Sequence, residues 1–535
     1  MNRFFCLLVT AFAALMSFSA QAQDQAVDNS AFILTPPAPD APRINGPKIY
    51  GARPKAEFIF RIPTTGVRPI HFEAKGLPRG LKLDASKGII KGRASKAGTY
   101  KVLLRASNAA GSFERELRIV IGDRIALTPP LGWNSWNCWG NSVSQEKVMS
   151  SARAMLEKGL ADYGWSYINI DDGWQGLRGG KYNAIQPNSK FPSMKELADF
   201  LHSEGLKLGI YSGPWCGTYA GHIGSSAPNP EGIYPWVEAG IVDSVYKVDR
   251  SRMKCDSVWY FGKYSFAAAD ARQWADWGVD YLKYDWNIND VWWLKDMRAA
   301  LLATGRDIVY SISNSSRVVL GPYLRDYAEC WRTTGDIRDT WESIFKIGFG
   351  GQDRWAGFKG PGNWPDADML VVGKVGWGPK THWTKLTPDE QYTHITLWSI
   401  LASPMLIGCD MAEMDDFTVS LLCNSEVIDV NQDPLGVQGV KQYGDGTYAT
   451  YVKPLEDGSL AVAMFNLTKE PKKIGFVPHS LGLMETQTVR DLWRQKDLGT
   501  VERKDRWETE VAPHGVVFVR LSPGLTDTKY VGFWR

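Results

Sequence analysis

An alternation excludes most folds for this chain. From Thr128 to about Pro434, eight short apolar runs are separated by longer, mostly amphipathic stretches. The runs are Leu131–Trp136, Trp165–Asp171, Leu206–Ser212, Val279–Asp285, Asp307–Ser313, Ala328–Thr333, Asp368–Val372 and Met405–Gly408. Helix-period stretches such as Gln145–Leu160, Met194–Glu204, Ala267–Trp277 and Val291–Thr304 lie between them. A strand–helix repeat of this number and length predicts an α/β fold, a (β/α)8 TIM barrel rather than an open doubly wound sheet.

The flanks have a different texture. Residues 47–123 carry short alternating runs, among them Phe58-Ile59-Phe60-Arg61-Ile62 and Glu116-Leu117-Arg118-Ile119-Val120-Ile121, divided by turn residues. This predicts an N-terminal Ig-like β-sandwich. Residues 436–535 turn all-β again, in Thr447–Val452, Leu460–Asn466 and Gly515–Leu521, and predict a C-terminal antiparallel β-sandwich. The barrel is then expected over 124–435, with a Pro-rich linker over 23–46. Residues 1–22 pair a basic tip with an apolar run and end Ala20-Gln21-Ala22, the parts of a cleavable signal peptide. The mature chain is expected to be secreted or periplasmic, with no membrane insertion.

Composition removes several classes of function. With 61 Lys and Arg against 58 Asp and Glu, the net charge is +3, so no nucleic-acid partner is expected. No C-x-x-C or H-E-x-x-H occurs, so no metal is expected. The nearest glycine run, Gly348-Phe349-Gly350-Gly351, has Asp353 where a dinucleotide fingerprint needs Gly; no cofactor is implied. Six cysteines follow the signal segment, too few for a disulfide framework in so long a chain. There are 23 Trp, more than either Tyr or Phe at 21 each.

In a (β/α)8 barrel, chemistry sits where strands end. The expected strand ends collect Trp136, Asp171-Asp172, Tyr211, Lys283 and Asp285, Ser313, Arg332 and Asp336, and Asp366 with Asp368. An Asp after a strand is commonly a helix N-cap. N-capping, however, explains neither a Lys two residues before Asp285 nor an Arg four before Asp336. Carboxylates with Arg, Lys and Trp suit a carbohydrate partner, and glycoside hydrolysis needs two carboxyl groups flanking one bond.

Seven motifs in order carry a resemblance. Thr128-Pro-Pro-Leu-Gly-Trp-Asn-Ser-Trp136, Tyr167-Ile-Asn-Ile-Asp-Asp-Gly-Trp174 and Gly205-Leu-Lys-Leu-Gly-Ile-Tyr-Ser212 come first. Trp277-Gly-Val-Asp-Tyr-Leu-Lys-Tyr-Asp285, Trp331-Arg-Thr-Thr-Gly-Asp-Ile337, Trp364-Pro-Asp-Ala-Asp-Met369 and Asn431-Gln-Asp-Pro-Leu-Gly436 follow. Together they resemble family 27 of the glycoside hydrolases, the α-galactosidase and α-N-acetylgalactosaminidase family. The N-terminal part resembles the Ig-like or cadherin-like modules of bacterial exported proteins, which act as spacers or weak adhesion units.

The resemblance implies a retaining, exo-acting enzyme releasing terminal α-galactose. It makes Asp285 the nucleophile and Asp336 the acid and base, roughly 5–5.5 Å apart. Lys283 and Arg332 would favour an ionised Asp285, while the acid needs a raised pKa. Asp171 and Asp172 would hold the 4- and 6-hydroxyls, Trp136 would form an apolar floor, and Tyr211 and Asp368 would complete the rim.

Three departures stand out. The family's cysteine pair after strands 3 and 4 is replaced by Tyr219 and Asn287. An insertion rich in Tyr, Trp and charge occupies 226–262, either arching over the pocket or packed on the barrel's flank. After strand 5, where the family usually has Glu, the chain reads Ser311-Ile-Ser313-Asn-Ser-Ser316. Small residues there resemble the N-acetylgalactosaminidase branch, which leaves α-N-acetylgalactosaminides, and the family's β-L-arabinopyranosides, as alternative substrates. An inactive sugar-binding surface protein is the alternative outside enzymes.

Overall fold

The structure, a computed structural model, describes residues 28–253 and 258–523. The expected signal segment and Cys255 lie outside the described residues. At the centre, eight parallel strands form one sheet: β1 (Leu131–Asn134), β2 (Tyr167–Asn169), β3 (Lys207–Ser212), β4 (Val279–Asp285), β5 (Val309–Ser313), β6 (Cys330–Arg332), β7 (Trp364–Asp366) and β8 (Met405–Ile407). Their order is β7-β6-β5-β4-β3-β2-β1-β8. A parallel bridge between Leu370 and Ile407 closes the two edges, with Leu370 donating to Leu406 (2.8 Å) and accepting from Gly408 (2.9 Å). The barrel is therefore complete.

Parallel strands covered on both faces bury nearly every side chain, and β1, β3 and β5 are buried along their whole length. Close approach of backbones sets Gly132, where a Cβ would stand 2.5 Å from the Tyr167 carbonyl oxygen. The principal helices are α1 (Gln145–Glu157), α2 (Met194–Ser203), α3 (Ala267–Trp277), α4 (Val291–Ala303), α5 (Gly321–Tyr327) and α6 (Pro388–Ile400). In α2, Ser193 caps the Glu196 N–H, and Met194, Leu197, Ala198 and Leu201 form the inward stripe at helical spacing. A capping box of Thr387 and Glu390 starts α6. That helix is buried around nearly its full circumference because the C-terminal domain covers its outer side, through Thr393 to the His514 carbonyl (2.7 Å) and Trp493 to Thr396 (2.8 Å).

Two expectations need correction. The seventh strand lies at Trp364–Asp366, not Asp368–Val372, because the Asp366 carboxylate accepts the Asp368 N–H (2.8 Å) and Asp368 turns into the left-handed region (φ 83°). Strand 1 ends at Asn134, and Trp136 opens a short helix, Trp136–Trp139.

The N-terminal module packs a four-stranded and a three-stranded sheet around Phe58, Phe60, Phe72, Ile90, Val102 and Ile119. Arg43–Ile44, within the stretch expected as linker, pairs with Thr64–Thr65. The preceding residues are tied to the barrel, where Tyr392 takes the Leu34 N–H and donates to the Phe32 carbonyl. The module sits beneath the barrel, at the starts of the strands. There Arg53 pairs with Asp307 (3.1 Å), Glu57 with Arg306 (2.6 Å) and Tyr50 with Lys207. The C-terminal domain is antiparallel, with six strands in one sheet and two in another around Val462, Met464, Phe476 and Val519. None of the five described cysteines, Cys138, Cys216, Cys330, Cys409 and Cys423, is in a disulfide.

Candidate active site

The far ends of the strands enclose a cavity of about 140 Å³. Nine of the eleven side chains singled out from the sequence line it: Trp136, Asp171, Asp172, Tyr211, Lys283, Asp285, Arg332, Asp336 and Asp368. Ser313 and Asp366 do not. Ser313, paired in register with Asp285, is buried, and its carbonyl accepts from Trp286 (3.0 Å) and Asn289 (3.2 Å). The next residue, Asn314, lines the cavity instead, with Asn137, Tyr219 and Met369. Sequence reading missed these four. The loss of a cysteine at Tyr219 was the one signal available.

Each group is held by a neighbour. Asn134 donates to Asp171 (2.9 Å), whose other oxygen takes the Asp172 N–H (2.9 Å). Asp172 accepts from the Ala220 N–H (2.8 Å), which ties it to the loop after β3. Lys283 pairs with Asp171 at 2.8 Å, and Tyr211 donates to Asp285 at 3.1 Å. Arg332 reaches Asp368 at 2.8 Å and Asp336 at 3.3 Å, while the Ile337 N–H donates to Asp368 (2.8 Å). One buried oxygen each on Asp172, Asp285 and Asn314 has no hydrogen-bond partner in the protein. Buried acceptors of this kind call for donors, and a ligand rich in hydroxyls supplies them.

The two carboxylates expected to carry chemistry differ in setting. Asp285 is buried at 8%, whereas the Asp336 side chain is 58% exposed. Burial pushes Asp285 up to about 6, against Lys283 and Arg332. Asp336 stays below the usual carboxylate range, because Arg332 and Lys283 outweigh its burial. This ordering is opposite to the one the resemblance implies. Lys283 gives its closest contact to Asp171 and Arg332 gives its own to Asp368, so neither makes a direct pair with Asp285. Burial also pushes Asp172 up to about 7 and Asp366 up to about 6. Among the described residues, no group of three or more His, Cys, Asp or Glu is placed to hold a metal ion.

The insertion divides into two parts. Its first part packs on the flank, where Tyr234 joins Arg178, itself paired with Asp270 at 2.7 Å. Its second part backs the wall of the cavity: Arg250 donates to the Tyr219 carbonyl and lies 4.4 Å from the Trp259 ring, and Trp259 donates to Thr218 (3.0 Å).

Comparison with known proteins agrees with this geometry. The sequence model of the family described as alpha galactosidase A matches residues 128–232 and 235–433. The chain belongs to that family, and it is a glycoside hydrolase. The family's C-terminal beta sandwich domain matches residues 445–521, and an Ig domain matches 41–122. Alpha-galactosidase 3 of Arabidopsis thaliana is 34% identical over 451 residues, 80% of this chain and 92% of that protein. A Bacteroides fragilis crystal structure assigned as an α-galactosidase/melibiase is 35% identical, covers 92% of this chain and 99% of its own, and superposes with a TM-score of 0.79. A β-L-arabinopyranosidase of the same family from Geobacillus stearothermophilus is 29% identical, with a TM-score of 0.64, over 76% of this chain and 98% of its own.

Proposed function

We propose that this glycoside hydrolase removes terminal α-linked galactose by double displacement, with Asp285 as nucleophile and Asp336 as acid and base. The observation that carries the reading is the pairing of a buried and an exposed carboxylate on one small cavity. Ionised Asp285 attacks the anomeric carbon while the bond to the leaving oxygen breaks and Asp336 gives that oxygen its proton. Water then attacks the same carbon, returns a proton to Asp336 and frees Asp285. A leaving group lying over Asp336 strips water from its exposed carboxyl and so raises its proton affinity at the step that needs it. Asp171 and Asp172, bridged to each other and to the loop after β3, form a rigid pair of acceptors for the 4- and 6-hydroxyls.

Changing Asp285 to Ala is expected to lower release of p-nitrophenol from the aryl α-galactoside on the order of 10⁴-fold. An unchanged rate would refute the assignment. A second reading, α-N-acetylgalactosaminides, draws on the rim after β5, where Asn314 contributes an uncharged amide and no carboxylate. Rates on the two aryl glycosides, measured on one batch of enzyme, decide between them. The reading includes export through residues 1–22; recovering the chain from the cytoplasm with those residues intact would contradict that part.

A further inference from the structure

Outside the cavity, three exposed aromatic side chains, Trp259, Phe261 and Trp292, are linked to its wall through ring contacts. Among the described residues only two tryptophans are exposed, Trp259 at 40% and Trp292 at 58%. Both belong to a continuous run of rings that begins on the cavity wall at Tyr219. The Tyr219 ring meets Trp215 at 5.4 Å and Trp259 at 5.5 Å. Trp215 reaches Phe261 at 6.5 Å, and Phe261, itself 42% exposed, stacks on Trp293 at 5.0 Å with the planes 9° apart. Trp293 meets Trp292 edge-on at 4.5 Å. Two elements supply the outer rings. Trp259 and Phe261 come from the insertion after β3, and Trp292 and Trp293 from the first turn of α4, whose N–H groups Asp290 caps. Exposed polar side chains, Lys263, Asn287 and Asp290, stand near these rings in the chain.

Exposed rings joined through the buried Trp215 and the half-buried Trp293 to the wall of a cleft suit a binding surface. Flat rings with amide and charged groups close by suit a ligand with apolar C–H faces and a rim of hydroxyls. We propose that this run binds the leaving group of the substrate, a chain of two or more sugar rings. The occupant follows from continuity. The run starts on the wall that Tyr219 shares with Asp285 and Asp336, and cleavage between those carboxylates leaves one sugar in the cavity and the rest of the substrate outside its mouth. Trp259 and Phe261 of the insertion are then specificity residues that favour long leaving groups.

This inference rests on the α-galactoside reading, and its test separates the two. The probes are α-galactosyl fluoride, whose leaving group is too small to touch the run, and the α-1,6-galactosides melibiose, raffinose and stachyose, whose leaving groups hold one, two and three sugar units. In the wild type, kcat/KM is expected to rise about tenfold from melibiose to stachyose. Trp292→Ala and Phe261→Ala are each expected to flatten that rise, measured relative to the fluoride in the same variant. Equal kcat/KM along the series in the wild type, or the same rise in both variants, would overturn the proposal and assign the patch to another occupant. Failure of the wild type to hydrolyse the fluoride would instead refute the α-galactoside reading, and the proposal with it.

Discussion

Asp285, the proposed nucleophile, sits where burial works against its charged form. Its folded pKa, about 6, stands above the ordinary 3.8 because burial disfavours the charged form. A carboxyl shifted in this direction binds its proton more tightly folded than unfolded. The wild type therefore gains stability as pH falls from 6 towards 4, and above pH 6 it carries a penalty on the order of 3 kcal/mol. Asn at this position has no proton to lose and can still accept from Tyr211. Asp285→Asn is accordingly expected to melt several degrees above the wild type at pH 7.5, with the gap closing by pH 4, in parallel thermal scans across that range. A gap that does not change with pH would mean that Asp285 is not held in the shifted state. Trp136 illustrates a different lesson. Of the tryptophans in and beside the central strands, Trp133, Trp174, Trp286, Trp331 and Trp364 are fully buried, whereas Trp136 lines the cavity. Position after a strand does not tell which way an indole points.

At the level of elements, the strands were legible because parallel strands covered on both faces must be apolar almost throughout, as in Lys207–Ser212 and Val309–Ser313. The seventh was misplaced because its register depends on a side-chain hydrogen bond, Asp366 to the Asp368 N–H, that hydrophobic periodicity does not encode. Ser313 and Asn314 were exchanged for a similar reason: where β5 gives way to loop, a one-residue error selects the wrong wall residue. The motif residues at the strand ends came together as expected, since the barrel fixes where strands end. The insertion after β3 stood out in the sequence as aromatic-rich and Tyr219 as a missing cysteine, but which of these rings meet the cavity wall depends on ring contacts that sequence does not encode. Behind these loops, the Arg178–Asp270 pair joins the Gln175–Gly179 strand to α3, with side chains exposed by 2% and 0%. Arg178→Met leaves Asp270 without its counter-charge and is expected to cost about 3–5 kcal/mol in urea unfolding. Adding Asp270→Asn to that variant should recover part of the loss. A double variant no more stable than Arg178→Met would show that the pair does not act as a charge couple.

Taken whole, the molecule separates its support from its chemistry. The N-terminal module meets the strand starts, and the cavity opens at the strand ends. Part-buried ion pairs make it a clamp on the barrel floor: Arg53 reaches both Asp307 (3.1 Å) and Glu329 (3.5 Å), and Arg306 joins Glu57 to Asp280. A spacer would not need such contacts. Arg53→Ala is expected to lower the melting temperature by several degrees while leaving KM for the aryl glycoside unchanged, because the lost contacts lie across the barrel from the substrate. A shift in KM without loss of stability would contradict that division. The configuration of an azide-rescued product reads directly the separate roles proposed for Asp285 and Asp336. With p-nitrophenyl α-galactoside and sodium azide, Asp285→Gly is predicted to yield β-galactosyl azide, since azide takes the place of the nucleophile. Asp336→Gly is predicted to yield the α-azide, through the glycosyl-enzyme on Asp285. The same anomer from both variants, or the two reversed, would contradict the assignment.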